Sequence, residues 1–261
     1  MSENHKGKII AITRPIERSQ SAVNIVEELG GVSFIVPTLE LKLTCTPSLM
    51  ELCQNIKKLE WLIFTSPTAV ESIFKFCPHL LQKLNPICKI AVIGPKTRDF
   101  VESKGLSVEI MPSEYTAEGL LDSFLPYDLK GKYIGIPRTM AARKVLPNEL
   151  IKRGAHVFVA EAYESIIPAE TSSIQDLIKK IINMQITAVT FTSPLTVHNL
   201  FKIASNDDQS EIIKIFSQND VLVAAIGPIT GNALIEYGII DAIIPEKYTV
   251  KDMMQKLFEY L

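Results

Sequence analysis

The sequence predicts an α/β protein with two similar open parallel sheets. Short apolar runs alternate with helical stretches along the chain, and three kinds of segment occur twice in the same order. Alternating strands and helices are typical of parallel sheets covered by helices. A conserved order of repeated segments indicates duplication. We therefore expect two related domains, each with ligand-binding loops at the carboxyl ends of its strands.

The first repeated segment is an apolar run that ends close to an arginine. KIIAITRP covers residues 8–15 and GKYIGIPR covers residues 131–138, so Arg14 corresponds to Arg138. In both copies a helical stretch follows and ends at a glycine, which is a common way for a helix to stop. Each copy is predicted to be a strand followed by a helix.

The second repeated segment is a strand that enters a Thr-Ser-Pro turn. LEWLIFTSP covers residues 59–67 and TAVTFTSP covers residues 187–194. Serine can accept a hydrogen bond from a free amide of the first helical turn, and proline has no amide to leave unpaired there. Both segments therefore predict the start of a helix.

The third repeated segment shares the pattern I-G-P-x-T, followed by Gly, Pro and Tyr-Thr. It covers residues 90–121 and 223–254. The four repeated junctions would present helix amides and hydroxyl groups that suit carboxylates or phosphates. Each hydroxyl could instead only cap its own helix. The four side chains concerned are Ser66, Thr97, Ser193 and Thr230.

Composition and charge exclude several classes of protein. The chain has 261 residues, is 47% hydrophobic and carries a formal net charge of -2, so no overall charge attracts it to nucleic acid or anionic lipid. The polar start has no secretory signal, and no apolar run approaches a membrane span, so we expect a cytoplasmic protein. The four cysteines form no C-x-x-C pair, which favours free thiols over disulfides or a metal site. Phosphate-loop and nucleophile-elbow motifs are absent from the sequence.

Taken in order, these fragments resemble the uroporphyrinogen-III synthase family. The matching pieces, which extend over nearly the whole chain, are ITRP, FTSP, IGPKT, GLSVEIMPSEYTAEGLL, GIPR, RGAHV with a later AY, a second FTSP and AIGPIT. The resemblance implies two flavodoxin-like domains, joined by two extended linkers and separated by a cleft. One domain would comprise residues 1–37 with 168–261, and the other residues 38–167. The segments 34–41 and 157–168 suit the linkers.

The resemblance also implies a reaction. The family is a lyase family that closes linear hydroxymethylbilane to uroporphyrinogen III, with loss of water and inversion of ring D through a spiro intermediate. The product would serve tetrapyrrole biosynthesis (heme, siroheme or cobalamin). No cofactor or metal is implied. The expected partner is this polycarboxylate small molecule, not nucleic acid or a membrane, and the expected state is a monomer.

Nine residues are candidates for the site, and five of them, Tyr163 and the four hydroxyl residues at the helix starts, match positions of the family. Tyr163, in the second linker, would assist the loss of hydroxide as a proton donor, although it could instead pack at the hinge. Four candidate cations would bind substrate carboxylates, and each could instead be a solvated surface residue: Arg14, Lys96, Arg138 and Arg143. The remaining candidates would bind side-chain carboxylates together with neighbouring amides: Ser66, Thr97, Ser193 and Thr230.

Two other kinds of protein share a paired α/β architecture. One is a two-domain tetrapyrrole-binding, small-ligand-binding or regulatory protein without activity, which would keep the helix caps and lack turnover. The other is a two-domain glycosyltransferase, for which the chain is short and shows no nucleotide-sugar site.

Overall fold

The computed structural model describes residues 5–261, which divide into two compact units. Unit 1 comprises the chain up to Glu40 together with Ile166–Leu261, and unit 2 is Leu41–Ser165. The sequence-based boundaries at 37/38 and 167/168 stay a prediction of where independently folding domains end.

Strands and helices are numbered along the chain. The strands are β1 (Ile9–Ile12), β2 (Val32–Ile35), β3 (Glu40–Leu43), β4 (Trp61–Phe64), β5 (Lys89–Val92), β6 (Val108–Ile110), β7 (Tyr133–Arg138), β8 (His156–Glu161), β9 (Tyr163–Ile166), β10 (Ala188–Phe191) and β11 (Leu222–Ala225). The helices are α1 (Gln20–Glu28), α2 (Pro47–Gln54), α3 (Pro67–Phe76), α4 (Leu80–Lys83), α5 (Pro95–Ser103), α6 (Ala117–Ser123), α7 (Val145–Lys152), α8 (Ser172–Ile182), α9 (Pro194–Ile203), α10 (Asn206–Ser217), α11 (Pro228–Ile235) and α12 (Val250–Phe258).

Unit 1 contains a parallel sheet with the strand order β11-β10-β1-β2. In the register, Ala11 of β1 lies opposite Val189 of β10 on one side and Phe34 of β2 on the other. A bridge between Ala224 and Ile243 extends the sheet beyond β11. If the strands of this sheet are numbered in chain order, with the segment at Ile243 as the fifth, their spatial order is 2-1-3-4-5, the arrangement of flavodoxin-like sheets.

Unit 2 contains a second parallel sheet, with the order β6-β5-β4-β7-β8. If β7 and β8 are numbered first and second and β4, β5 and β6 follow, the spatial order is again 2-1-3-4-5. Strands β7 and β8 therefore correspond to β1 and β2, as the repeated arginine segments predict. The prediction of two similar parallel sheets is confirmed.

Both sheets are covered on both faces. All four residues of β4 and all four of β10 are buried, which is why these strands read as continuous apolar runs rather than alternating ones. Strands β3 and β9 form a separate two-stranded sheet, and they lie where the chain passes between the units. None of the helices within residues 5–261 is long and apolar enough to span a membrane.

Candidate functional site

The repeated Ser-Pro and Gly-Pro junctions all start helices. Helices α3, α5, α9 and α11 each begin at the proline of the motif. Ser66 Oγ accepts a hydrogen bond from the amide of Ala69 at 3.2 Å, and Ser193 Oγ accepts one from the amide of Thr196 at 3.4 Å. Both serines therefore cap their helices.

Thr97 and Thr230 do not cap helices. The capping positions of α5 and α11 are the glycines before the prolines, Gly94 and Gly227. Each threonine lies in the first helical turn and is buried, at 5% and 2% exposure. Neither hydroxyl makes a hydrogen bond to any residue of the described range 5–261. The capping explanation is therefore wrong for these two residues, and both hydroxyls are available to a ligand.

The hydroxyl group of Tyr163 lies at the start of α3. Ser66 Oγ donates a hydrogen bond to the Tyr163 hydroxyl oxygen over 3.0 Å. Tyr163 is 6% exposed and its ring packs in the apolar core that includes Val70 and Ile73 of α3. The structure thus brings together two residues that the sequence places 97 positions apart.

Two hydroxyl groups, one at the residue that caps α2 and one within α3, hold the backbone next to Tyr163. Ser72 Oγ donates to the carbonyl of Ala162, and Thr46 Oγ1 donates to the carbonyl of Glu161 at 2.7 Å. The sequence carries no signal for these two residues, because a contact between a side chain and a distant carbonyl leaves no local pattern. They fix the position of Tyr163 on unit 2.

Arg138 is a buried cation that has no carboxylate partner among residues 5–261. It is 4% exposed, and its guanidinium donates only to backbone oxygens, through Nε to Thr139 at 3.2 Å and through Nη2 to Arg143 at 2.9 Å. Burial lowers the pKa of Arg138. A buried charge without a counter-charge is costly, so the arrangement favours binding of an anion.

Arg14, the corresponding residue of unit 1, shows the same imbalance. Its Nε and Nη1 atoms are buried and have no hydrogen-bond partner in the described part of the chain. Burial is the main cause that lowers the pKa of Arg14, and the charge of Arg18 adds to it. Both copies of the duplicated fold therefore hold an arginine with unsatisfied hydrogen-bond donors at the carboxyl end of the corresponding strand, β1 in unit 1 and β7 in unit 2.

A pocket of about 290 Å³ opens at the carboxyl edge of the sheet in unit 2. Thr65, Ile93 and Arg138 line it where β4, β5 and β7 end. Its walls come from the start of α6 and from the loop and first turn of α7: Tyr115, Thr116, Ala117, Ala142, Arg143 and Leu146. We call this cavity the unit 2 pocket.

The two remaining candidate cations are exposed. Arg143 forms a bidentate ion pair with Glu118, at 2.8 and 3.0 Å, so its charge is already paired within unit 2. Lys96 lies in the first turn of α5 and makes no ion pair within residues 5–261. The same range contains no group of His, Cys, Asp and Glu side chains that could hold a metal ion.

Comparison with known proteins identifies the family. The profile described as uroporphyrinogen-III synthase HemD matches residues 20–255. The chain belongs to the uroporphyrinogen-III synthase family. A candidate uroporphyrinogen-III synthase of Methanothermobacter thermautotrophicus is 48% identical over 248 residues, which cover 95% of this chain and 96% of that protein. The uroporphyrinogen-III synthase of Chlorobaculum parvum is 26% identical and covers 97% of this chain, with 99% of its own length matched.

Solved structures of uroporphyrinogen-III synthases share the fold. The enzyme of Helicobacter pylori superposes with a TM-score of 0.66 at 16% identity, over 97% of this chain and 100% of that one. A mutant enzyme of Thermus thermophilus gives a TM-score of 0.61 at 17% identity, over 97% and 98% of the two chains. The two-sheet α/β fold is therefore that of uroporphyrinogen-III synthases.

Proposed function

We propose that this chain is a lyase that closes hydroxymethylbilane to uroporphyrinogen III. Membership of the uroporphyrinogen-III synthase family supports this activity. The observation in the structure that favours it most is the pair of incompletely satisfied guanidinium groups, Arg14 and Arg138. A substrate with an acetate and a propionate on every pyrrole ring supplies the counter-charges that these groups lack.

The proposed reaction consists of an ionisation and a directed ring closure. The terminal hydroxymethyl group leaves as water after it accepts a proton, and the pyrrole electrons form an azafulvene. The substituted α-carbon of ring D, at the opposite end of the substrate, then attacks the azafulvene carbon to give a spiro intermediate. The bond from that α-carbon to the bridge toward ring C breaks, and the unsubstituted α-carbon of ring D bonds to the freed bridge carbon with loss of a proton, which leaves ring D inverted. Closure without this guidance gives the uninverted isomer I, so the main task of the protein is to hold one conformation of the substrate.

Tyr163 is the proposed proton donor. Because Ser66 donates its own hydrogen to the Tyr163 oxygen, the phenol hydrogen stays available to the leaving hydroxyl. The hydrogen bond from Ser66 and the positive end of α3 would both stabilise the negative charge that develops on the phenol oxygen. We expect an accelerating contribution and not an indispensable one, because the electron-rich pyrrole itself drives the departure.

The other candidates would hold carboxylates. Thr97 and Thr230 offer hydroxyls that have no hydrogen-bond partner among residues 5–261, and Ser193 lies at the start of α9. Lys96 would add an exposed cation, and Arg143 would have to exchange Glu118 for a substrate carboxylate. No metal or cofactor takes part in this scheme, and we propose that a single chain acts in the cytoplasm.

The product isomer tests the proposal. Purified protein is given freshly generated hydroxymethylbilane, the products are oxidised, and the uroporphyrin isomers are separated by chromatography. Predominant isomer III is expected. Isomer I at the spontaneous rate would contradict the proposal and favour a tetrapyrrole-binding protein without turnover.

A further inference from the structure

The unit 2 pocket contains a cationic group that is incompletely satisfied. Arg138 is almost completely buried, with 4% of its surface exposed, and it lines the pocket. Its Nη1 atom makes no hydrogen bond within residues 5–261, whereas Nε and Nη2 hold the backbone of the loop before α7. One edge of the guanidinium is thus engaged in holding the protein, and the remaining donors are available to a carboxylate.

The same pocket has an exposed aromatic wall. Tyr115 is 57% exposed and lines the pocket. Its ring lies against Gly94, where an added methyl group would be 3.7 Å from Tyr115 Cγ. Because more than half of Tyr115 is exposed, its ring contributes little to the core of unit 2. A flat, electron-rich ligand would cover it, because aromatic rings favour offset-stacked or edge-on contact with one another.

The size of the pocket limits what it can hold. At about 290 Å³ it lies at the lower end of the range for small-molecule sites. It therefore suits one substituted ring and not an entire linear tetrapyrrole. Two features, charge and aromatic surface, both match a pyrrole that carries acid side chains.

From these observations we infer that the unit 2 pocket receives a single pyrrole ring of the substrate, with one carboxylate on Arg138 and the ring against Tyr115. The inference rests on the proposed function, because that function makes the ligand a carboxylated pyrrole. It adds a specific binding residue, Tyr115, and a division of labour in which one ring is held separately from the others.

A small probe tests the inference without turnover. The full-length, ¹⁵N-labelled protein is titrated with a synthetic pyrrole that bears one acetate and one propionate. Saturable amide shifts are expected at Thr116, Ala117 and Ala142, which line the pocket. The dimethyl ester of the same pyrrole lacks the charge, glutarate lacks the ring, and both should bind more weakly. Equal binding of inorganic phosphate and the pyrrole diacid would overturn the inference, as would shifts confined to other residues.

Variants separate the ring contact from the charge contact. Tyr115→Phe should keep the affinity, and Tyr115→Leu should weaken it about two- to tenfold, the range expected for an aromatic pair. Arg138→Gln should weaken it about ten- to hundredfold, and Arg138→Lys should restore part of the loss. Tyr248 packs on Gly227 of unit 1 in the same manner, so Tyr248→Leu is the matched control and should leave the affinity unchanged. Unchanged affinity in Tyr115→Leu would overturn the ring contact even if Arg138→Gln failed to fold.

The isomer assay is run in parallel on the same wild-type preparation. Formation of isomer III without binding of the pyrrole diacid would overturn the inference and leave the proposed function in place. Binding of the diacid with only isomer I formed would support the ring pocket and contradict the proposed function.

Discussion

Tyr163 and Ser66 form a pair whose two members should act together. Tyr163→Phe keeps the ring in the core and removes the proton that we assign to the leaving hydroxyl. We expect kcat to fall about ten- to hundredfold, at or below the lower limit for a well-matched general acid, with KM little changed and isomer III still the product. An unchanged kcat would remove Tyr163 from the mechanism.

A double-mutant cycle tests whether Ser66 acts through Tyr163. Ser66→Ala should lower kcat, and adding it to Tyr163→Phe should cost less than the separate effects predict, because the residues share one hydrogen bond. Ser66→Thr, which keeps a hydroxyl, should retain most activity. Ser205 caps α10 without a phenol partner, so Ser205→Ala is a control for cap loss and should leave kcat unchanged. Additive effects would show that Ser66 acts independently of the phenol.

The thiols differ in their environment, which predicts their reactivity. Burial raises the pKa of Cys88 to about 12, whereas Cys45 is exposed. Only the thiolate reacts with alkylating agents, and at pH 8 the Cys88 thiol is protonated because its pKa lies well above that pH. Timed labelling with iodoacetamide and mass spectrometry should show Cys45 modified first. Labelling of Cys88 at the rate of Cys45 in the folded protein would contradict this expectation, and in urea the two rates should converge.

Among the helices, the sequence predicts where they start better than what their side chains do. Proline at the first helical position fixes the start of α3 and α5 alike. In the Ser-Pro motif the residue before proline carries a hydroxyl, so Ser66 is the cap. In the Gly-Pro motif that position has no side chain, and Thr97 falls inside the first turn. The two motifs have similar sequences, but their hydroxyl groups have different roles. The hydroxyl residue comes directly before the proline in one motif and two residues after it in the other.

Helix α3 should depend on one buried hydroxyl for its attachment to the strand before Tyr163. Ser72 is fully buried and its Oγ donates to the carbonyl of Ala162. Ser72→Ala leaves that carbonyl without a partner, so we expect a loss of about 1–3 kcal/mol in the free energy of unfolding, measured by urea denaturation. Ser123→Ala is the matched control. Its hydroxyl bonds to the carbonyl four residues earlier in its own helix, and its loss should change stability little. Equal effects of the two changes would contradict the proposed attachment.

The order of strands in the whole chain predicts which fragments fold. Unit 2 is continuous, and its sheet is complete within residues 41–165. In unit 1, β1 lies between β2 and β10, so a fragment of residues 166–261 lacks the central strand. We expect the 41–165 fragment to unfold cooperatively in circular dichroism and the 166–261 fragment to be unstructured. A cooperative transition in the latter would contradict the crossover of the first two strands.

At this scale, repetition made the fold predictable. The strand and helix order of both sheets follows from apolar runs and turn residues that occur twice. Internal spacing does not predict that β1 joins the sheet of β10, because nothing in a local pattern specifies a partner about 180 residues away. The pocket at Arg138 likewise depends on three strand ends that meet only in the folded sheet.

The central position of β1 has a consequence for synthesis on the ribosome. Ile12 ends β1 and Ala188 begins β10, a separation of 188 − 12 = 176 residues. Strand β2 follows soon after β1, but at translation rates of about 5–20 residues per second the nascent β1 strand waits roughly 10–35 s for its second neighbour, β10. Unit 2 completes its own sheet in that interval. During translation the β10-facing edge of the apolar strand IIAI is therefore open to mispairing and to capture by chaperones.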